Sequence, residues 1–251
     1  MNLDFFSNRR SIRRFSDKHI SNEMLNEMLL AASHAPTMGN MQLYSVIITR
    51  DEEQRKALAP AHFSQPAMTG APVLLTFCAD FNRFVKWCEQ RSADHGYDNF
   101  QMWMCAVLDT ACVAQQFCTI AEMQGLGTCY LGTTTYNAPL IAEVLNLPTR
   151  VVPVTTVALG YPADSGEEVG RLPLEAWVHT ERYVDYTPAK IDSIYAEKEA
   201  REDSQRFVAE NGKENLAQVF TDVRYRKPDN EYFSQVYLDF IASHGFPLPE
   251  K

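Results

Sequence analysis

Four arginines and a serine fall within six residues near the start of the chain, Arg9-Arg10-Ser11-Ile12-Arg13-Arg14. The whole chain carries a formal net charge of -9, so this is a local concentration of positive charge in an acidic protein. Guanidinium groups match phosphate oxygens two at a time, and a serine hydroxyl adds a further donor. An anion site is therefore one reading of the run. A solvated basic turn is the other, and the choice rests on what else the sequence supplies.

Several further segments make joint sense around a planar, phosphorylated ligand with polar edges. Thr37, Met38, Gly39, Asn40 and Gln42 form a polar loop whose glycine allows a close backbone approach. Gln65 precedes Ala71-Pro72, where an apolar strand begins. Tyr130, Leu131, Gly132 and Thr133 end another strand, where backbone N–H groups can face a ring edge. Arg171, in Gly170-Arg171-Leu172-Pro173, is a late cation. Singly, each is also what an ordinary loop, strand end or surface arginine looks like.

Other chemistries lack their motifs. Gly125-Leu126-Gly127 and Gly132 have the wrong spacing and the wrong helix-to-strand order for a dinucleotide fingerprint. There is no Walker A lysine, no H-E-x-x-H and no G-x-S-x-G, and the six histidines are scattered without metal-ligand spacing. The six cysteines contain no C-x-x-C pair; most sit in apolar runs and read as reduced core residues. No catalytic acid or base and no metal ligand is assigned.

The elements that must position these residues follow from the pattern. Ser21 caps a helix burying Met24, Leu25, Met28, Leu29 and Ala32. Strands are expected at Tyr44–Thr49, Val73–Ala79, Thr128–Leu131 and Val152–Leu159, with helices capped by Asp51 and begun by Asn137-Pro139. The longest periodic segment, 99–124, has only two charges, Asp109 and Glu122. Its polar positions break the apolar run short of a membrane span, so it reads as a core or interface helix. Helices alternating with strands imply an α/β or α+β sandwich. At 251 residues, 45% hydrophobic and 22% charged, the composition is that of an ordinary soluble protein. Its acidity opposes nucleic acid as a partner, and without a charged-then-apolar leader a cytoplasmic location is expected. A charged tail ends in an aromatic-faced helix at 229–244.

Taken in order, the motifs resemble the FMN-dependent nitroreductase family, within it the NADPH-preferring nitroreductase and flavin reductase group. The resemblance rests on R-R-S-I-R-R-F, on Ala35 to Gln42 against A-P-S-x-x-N-x-Q, on Gly125 to Gly132 against G-L-G-x-x-x-x-G, and on Leu159-Gly160-Tyr161-Pro162 followed by Arg171-Leu172-Pro173. It implies an α+β three-layer sandwich with a central mixed antiparallel sheet, an intertwined homodimer, a core domain at 1–180 and a C-terminal extension at 181–251. It implies two FMN molecules at the dimer interface. Arg9, Arg10 and Ser11 would address the phosphate and ribityl chain, Arg13 the ribityl and the N1–C2=O edge, and Arg171 the phosphate. Thr37, Met38, Gly39, Asn40 and Gln42 would follow ring and ribityl, Gln65 the pyrimidine edge, and the backbone of Tyr130 to Thr133 the N5 and O4 atoms. Three positions depart from the pattern: Val169 replaces a common lysine, Arg9 a common histidine, and Thr133 a usual glycine. The implied activity is electron transfer from NAD(P)H to a nitroarene, quinone or free flavin over one ring face. A flavin-storage protein, or a specialised member performing flavin fragmentation or dehalogenation, are the alternatives. Lys198, Arg201 and Arg206 in the tail are the cations available for an NADPH phosphate.

Overall fold

Four strands pair in the order β1-β2-β4-β3: β1 (Tyr44–Thr49), β2 (Val73–Asp80), β3 (Gly127–Leu131) and β4 (Val151–Gly160). All three ladders are antiparallel, so the parallel pairing of a mixed sheet is not found among the described residues. The computed structural model describes residues 2–247. All eight residues of β2 are buried, and nine of ten in β4. Strands this apolar without polar alternation are covered on both faces, and these are. Leu75, Phe77, Val157 and Leu159 pack on one side against Val113, Ala114, Phe117 and Ala121 of the long helix Phe100–Met123 and against the helix Asn22–Ala32. Leu74 and Ala158 point the other way, into Leu58, Ala61, Met68 and Ile141. The result is the expected α+β layering of helix, sheet and helix.

The helix caps expected at Ser21 and Asp51 form, and Asn99 caps the long helix in the same way. Ser21 Oγ accepts from the Met24 amide at 3.1 Å, Asp51 from Gln54 at 2.9 Å, and Asn99 from Met102 at 3.0 Å, each satisfying an otherwise unpaired first-turn N–H. Asn137 is the exception. Its side chain leaves the helix Ala138–Val144 uncapped and donates to the Ala61 carbonyl at 2.8 Å. The long helix could cross a bilayer by length and composition, but half of its most apolar stretch is buried inside the protein.

Two compact units emerge, one from residues up to Glu167 together with those from Phe233 onward, the other from Glu168–Tyr232. The stretch 181–251, expected as one extension, is thus divided. Phe240, Ile241 and Phe246 join a core of the first unit with Phe81, Trp103 and Val152. The second unit contains the helices Pro188–Ala200, Glu202–Glu210 and Leu216–Val219, with Ile194, Leu216 and Val219 buried. Some of its cations sit on rings: Arg224 lies 4.3 Å from the centroid of Phe207, and Lys198 5.2 Å from that of Phe220.

Candidate functional site

The arginine run is held in place by the one apolar residue inside it. Ile12 is buried, and its amide donates to the Thr128 carbonyl at 3.0 Å. It lies so close to β3 that a Cβ on Gly127 would stand 2.6 Å from its side chain; only glycine leaves this room. Downstream, the Ser16 amide donates to Tyr161 and the Ala163 amide to Arg14, which clamps the segment on its other side. The chain therefore runs extended along the start of β3, with Ile12 inward and Arg13 and Arg14 exposed.

A cleft of about 410 Å³ opens beside it, lined among others by Asn8, Arg9, Arg10, Glu122 and Gly127. Arg9 Nε lies 3.2 Å from Glu122 Oε1, and Thr128 Oγ1 donates to the same oxygen at 2.5 Å. Burial pushes the Glu122 carboxyl above its ordinary pKa, against the opposing pull of Thr128 and Arg9. Arg10 donates to the Asn8 carbonyl at 3.3 Å. Ser11 is half-buried on the same segment.

The loop at 37–42 is anchored elsewhere. Asp109, buried in the long helix, accepts the Met38 amide at 2.8 Å and the Leu43 amide at 3.2 Å, one on each carboxylate oxygen. Between these anchors Gly39, Asn40 and Gln42 all take left-handed φ, of 54°, 56° and 54°. The last two are costly for residues with a Cβ and persist only where the surroundings hold them. Arg83 adds a clamp by donating to the Gln42 carbonyl, and Gln42 Nε2 donates to Asn40 Oδ1 at 3.2 Å.

A third group forms at the end of β3. Gln65 Nε2 donates to Thr133 Oγ1 at 3.2 Å, and His62 Nδ1 sits 2.9 Å from the same hydroxyl. His62 is fully buried, and burial lowers its pKa to about 4. Tyr130 and Gly132 are exposed beside it while Leu131 is buried. Phe63 and Ser64, between His62 and Gln65, both have left-handed backbones. Phe63 also edges onto Tyr136 and Phe233, which stack at 4.6 Å.

The structure thus joins Arg9, Arg10, Ser11 and Arg13 to the start of β3, and joins Gln65 to Thr133 at its end. Thr37 to Gln42 are fixed separately, on Asp109. Arg171 belongs to the second unit and donates to the Val169 and Gly170 carbonyls, both at 3.2 Å. Four residues of this architecture were not singled out by type or spacing: Glu122, Asp109, Arg83 and His62. Asp109 and Glu122 did leave a signal, being the only charges of an apolar helix. No cluster of three metal-ligating side chains exists among the described residues.

The chain matches the model of the nitroreductase family over residues 6–161, more than half its length. It belongs to that family. Among relatives, it is 32% identical to the FMN reductase (NADPH) of Bacillus subtilis, over 72% of this chain and 74% of the other. It is 33% identical to the oxygen-insensitive NADPH nitroreductase of Salmonella typhimurium, over 72% and 74%. A solved structure from Bacteroides fragilis superposes with a TM-score of 0.95 at 52% identity, covering 97% of this chain and 99% of the other. This nitroreductase-family chain is also similar to the NfrA1 nitroreductase of Bacillus subtilis, with a TM-score of 0.84 and 27% identity over 98% of each.

Proposed function

We propose that the protein is an NAD(P)H-dependent FMN oxidoreductase that reduces nitroaromatics, quinones or free flavin in alternating half-reactions at one site. The observation that carries this reading is the pairing of a cationic cleft at one end of β3 with a hydrogen-bonding cluster at its other end. A strand of five residues spans roughly 17 Å, a separation suited to a ligand with a phosphate at one end and a polar ring at the other. The donor set fits FMN: Arg10, Ser11 and Arg13 offer charge and hydroxyl to the phosphate and ribityl chain, and Gln65 and Thr133 offer side-chain hydrogen bonds to a ring edge. Arg9 enters already countered by Glu122, which makes it an anchor of the segment first and a phosphate ligand second.

FMN, when bound, supplies the hydride chemistry. The residues of the chain bind it, orient it and set the local charge. Arg13, exposed and close enough to Cys129 for its charge to act there, would stabilise negative charge on the N1 side of a ring. No side chain is assigned as an acid or base, and the protons that a quinone or nitro group takes up on reduction come from solvent.

A homodimer with two sites is supported by the placement of the anchors. Asp109, which fixes the 37–42 loop, and Glu122, which fixes Arg9, lie roughly 20 Å apart along one helix. The loop and the arginine segment of one chain are thus held well apart, whereas a symmetric partner brings a second copy of each. The same helix exposes Leu108, Cys112 and Met123, an apolar strip that an isologous interface would cover. The two relatives described above are named for NADPH. Of the tail cations Lys198, Arg201 and Arg206, two are ion-paired in this chain, Arg201 with Asp203 at 3.0 Å and Arg206 with Glu210 at 3.8 Å. A cytoplasmic location is part of the same proposal.

The deciding experiment is spectroscopic. Purified protein should be yellow, elute as a dimer, and bleach under anaerobic NADPH, then recover on addition of a nitroarene or quinone. Flavin that stays oxidised with both NADPH and NADH would overturn the enzyme reading in favour of a flavin-storage protein.

A further inference from the structure

We propose that His62 is a positioning residue that, together with Gln65, locks the Thr133 hydroxyl as a hydrogen-bond donor directed at the acceptor edge of the bound flavin ring. The assignment rests on the FMN reading above, and it concerns a position where this chain carries threonine in place of the usual glycine.

The argument is an accounting of protons. A threonine hydroxyl has one hydrogen and two acceptor sites. Gln65 Nε2, at 3.2 Å, can only donate, so it occupies one acceptor site. His62 Nδ1, at 2.9 Å, occupies either the other acceptor site or the hydrogen. Its ring is buried and neutral at ordinary pH, so a single nitrogen carries the proton. The other nitrogen, Nε2, is buried with no hydrogen-bond partner among the described residues. If the proton sat on Nε2, a buried N–H would be orphaned, the deficit that folded proteins tolerate least. With the proton on Nδ1 the unmet group is only a lone pair. His62 then donates to Thr133, both acceptor sites of the hydroxyl are filled, and its hydrogen finds no acceptor among the described residues. Its remaining outlet is a ligand.

The backbone is built for this convergence. Phe63 and Ser64 take φ of 53° and 49° in succession, folding His62 and Gln65 back onto one oxygen. Two consecutive left-handed residues with side chains are strained, and strain of this kind concentrates where a constellation has to be held. N5 and O4 of the oxidised ring are both acceptors, and a hydroxyl that cannot turn round discriminates for such an edge.

Two measurements on the FMN-loaded protein test this. Imidazole nitrogen resonances of ¹⁵N-histidine-labelled protein, with His62 assigned by its loss in His62→Gln, should show a protonated Nδ1 and a bare Nε2. The opposite tautomer in a yellow protein overturns the assignment alone, since Thr133 would then donate to His62. In FMN titrations followed by flavin fluorescence, Thr133→Val, isosteric but without the hydroxyl, should bind about tenfold more weakly. Thr133→Ser should restore binding to within about twofold of wild type. Equal affinity of the valine variant also overturns the assignment. Wild-type protein that takes up no FMN would overturn the flavin reading itself, and this inference with it.

Discussion

Arg9 and Glu122 meet at 3.2 Å with only 25% and 12% of their side chains exposed, so one cation of the cleft arrives with its counter-charge built in. Thr128 donates to the same carboxylate oxygen. Glu122 thereby ties three pieces together: the arginine segment, the long helix and the start of β3. The pair is partly desolvated, and such a pair costs more to break by removing one partner than it contributes when intact. Arg9 is held in place by this pair and its charge toward an anion is muted, so on the proposed reading more of the phosphate binding falls to Arg10.

Replacing Glu122 by glutamine should separate these effects. The amide oxygen can still accept from Thr128 and Arg9, but the counter-charge is gone, so FMN or inorganic phosphate should bind several-fold more tightly, read by fluorescence titration or calorimetry. Stability should also change its pH dependence. The pKa of Glu122 is raised in the fold, so the native state holds its proton longer than the unfolded chain does. That contribution to stability is present at low pH and is lost as pH rises from the ordinary glutamate value of about 4.3 through the raised one. Glu122→Gln should lack this fall, and an unchanged slope of Tm against pH would refute it.

Asp109 predicts a different phenotype. Its two oxygens each accept a loop amide, and hydrogen bonds to a charged group contribute about 1.5–3 kcal/mol each. Asp109→Asn keeps one acceptor and should lower stability by about 2 kcal/mol, seen as a lower urea midpoint with an unchanged slope. It should also release the left-handed backbone at Asn40 and Gln42. FMN affinity should therefore fall further than the stability loss alone accounts for, whereas equal FMN binding would detach the loop from the site.

Arg13 gives the cleanest test of the cationic segment. It is exposed, and surface substitutions of this kind usually change stability by no more than about 0.5 kcal/mol. Arg13→Ala should therefore leave Tm in place while weakening FMN or slowing its reduction by about tenfold, the scale of one charge-assisted contact. Unchanged flavin content and turnover would remove Arg13 from the site.

What the sequence revealed and what it hid divide along contact range. Ser21 and Asp51 cap their helices within three residues, and the four strands show as apolar runs, so these elements are legible with ends within a residue or two. The Arg-Arg-Ser-Ile-Arg run was legible by charge contrast. Asp109 and His62 act on partners 71 positions away, and no local pattern encodes such a distance. Asn137 shows the converse: its position is that of a helix cap, but a carbonyl at Ala61 becomes available on folding and takes its amide. The ion pair of Arg9 with Glu122 is likewise hidden from the sequence, because the two lie far apart along the chain and Glu122 reads as a polar interruption in an apolar helix.

His62 supplies a pH dependence opposite in sign to that of Glu122. Burial lowers its pKa to about 4 in the fold, from an ordinary value near 6.5. Between these values the unfolded chain binds a proton that the native state does not. Stability from this group is therefore complete above about pH 6.5 and is lost as pH falls toward 4, by about 3 kcal/mol in all. The windows of the two groups overlap, so their contributions partly offset each other in the wild-type protein. His62→Gln should flatten the acid-side loss, and Glu122→Gln should steepen the rise of stability with pH; urea unfolding at several pH values between 4 and 7 measures both. If His62→Gln loses stability toward pH 4 as steeply as wild type, His62 is not held neutral, and the proton accounting at Thr133 fails with it.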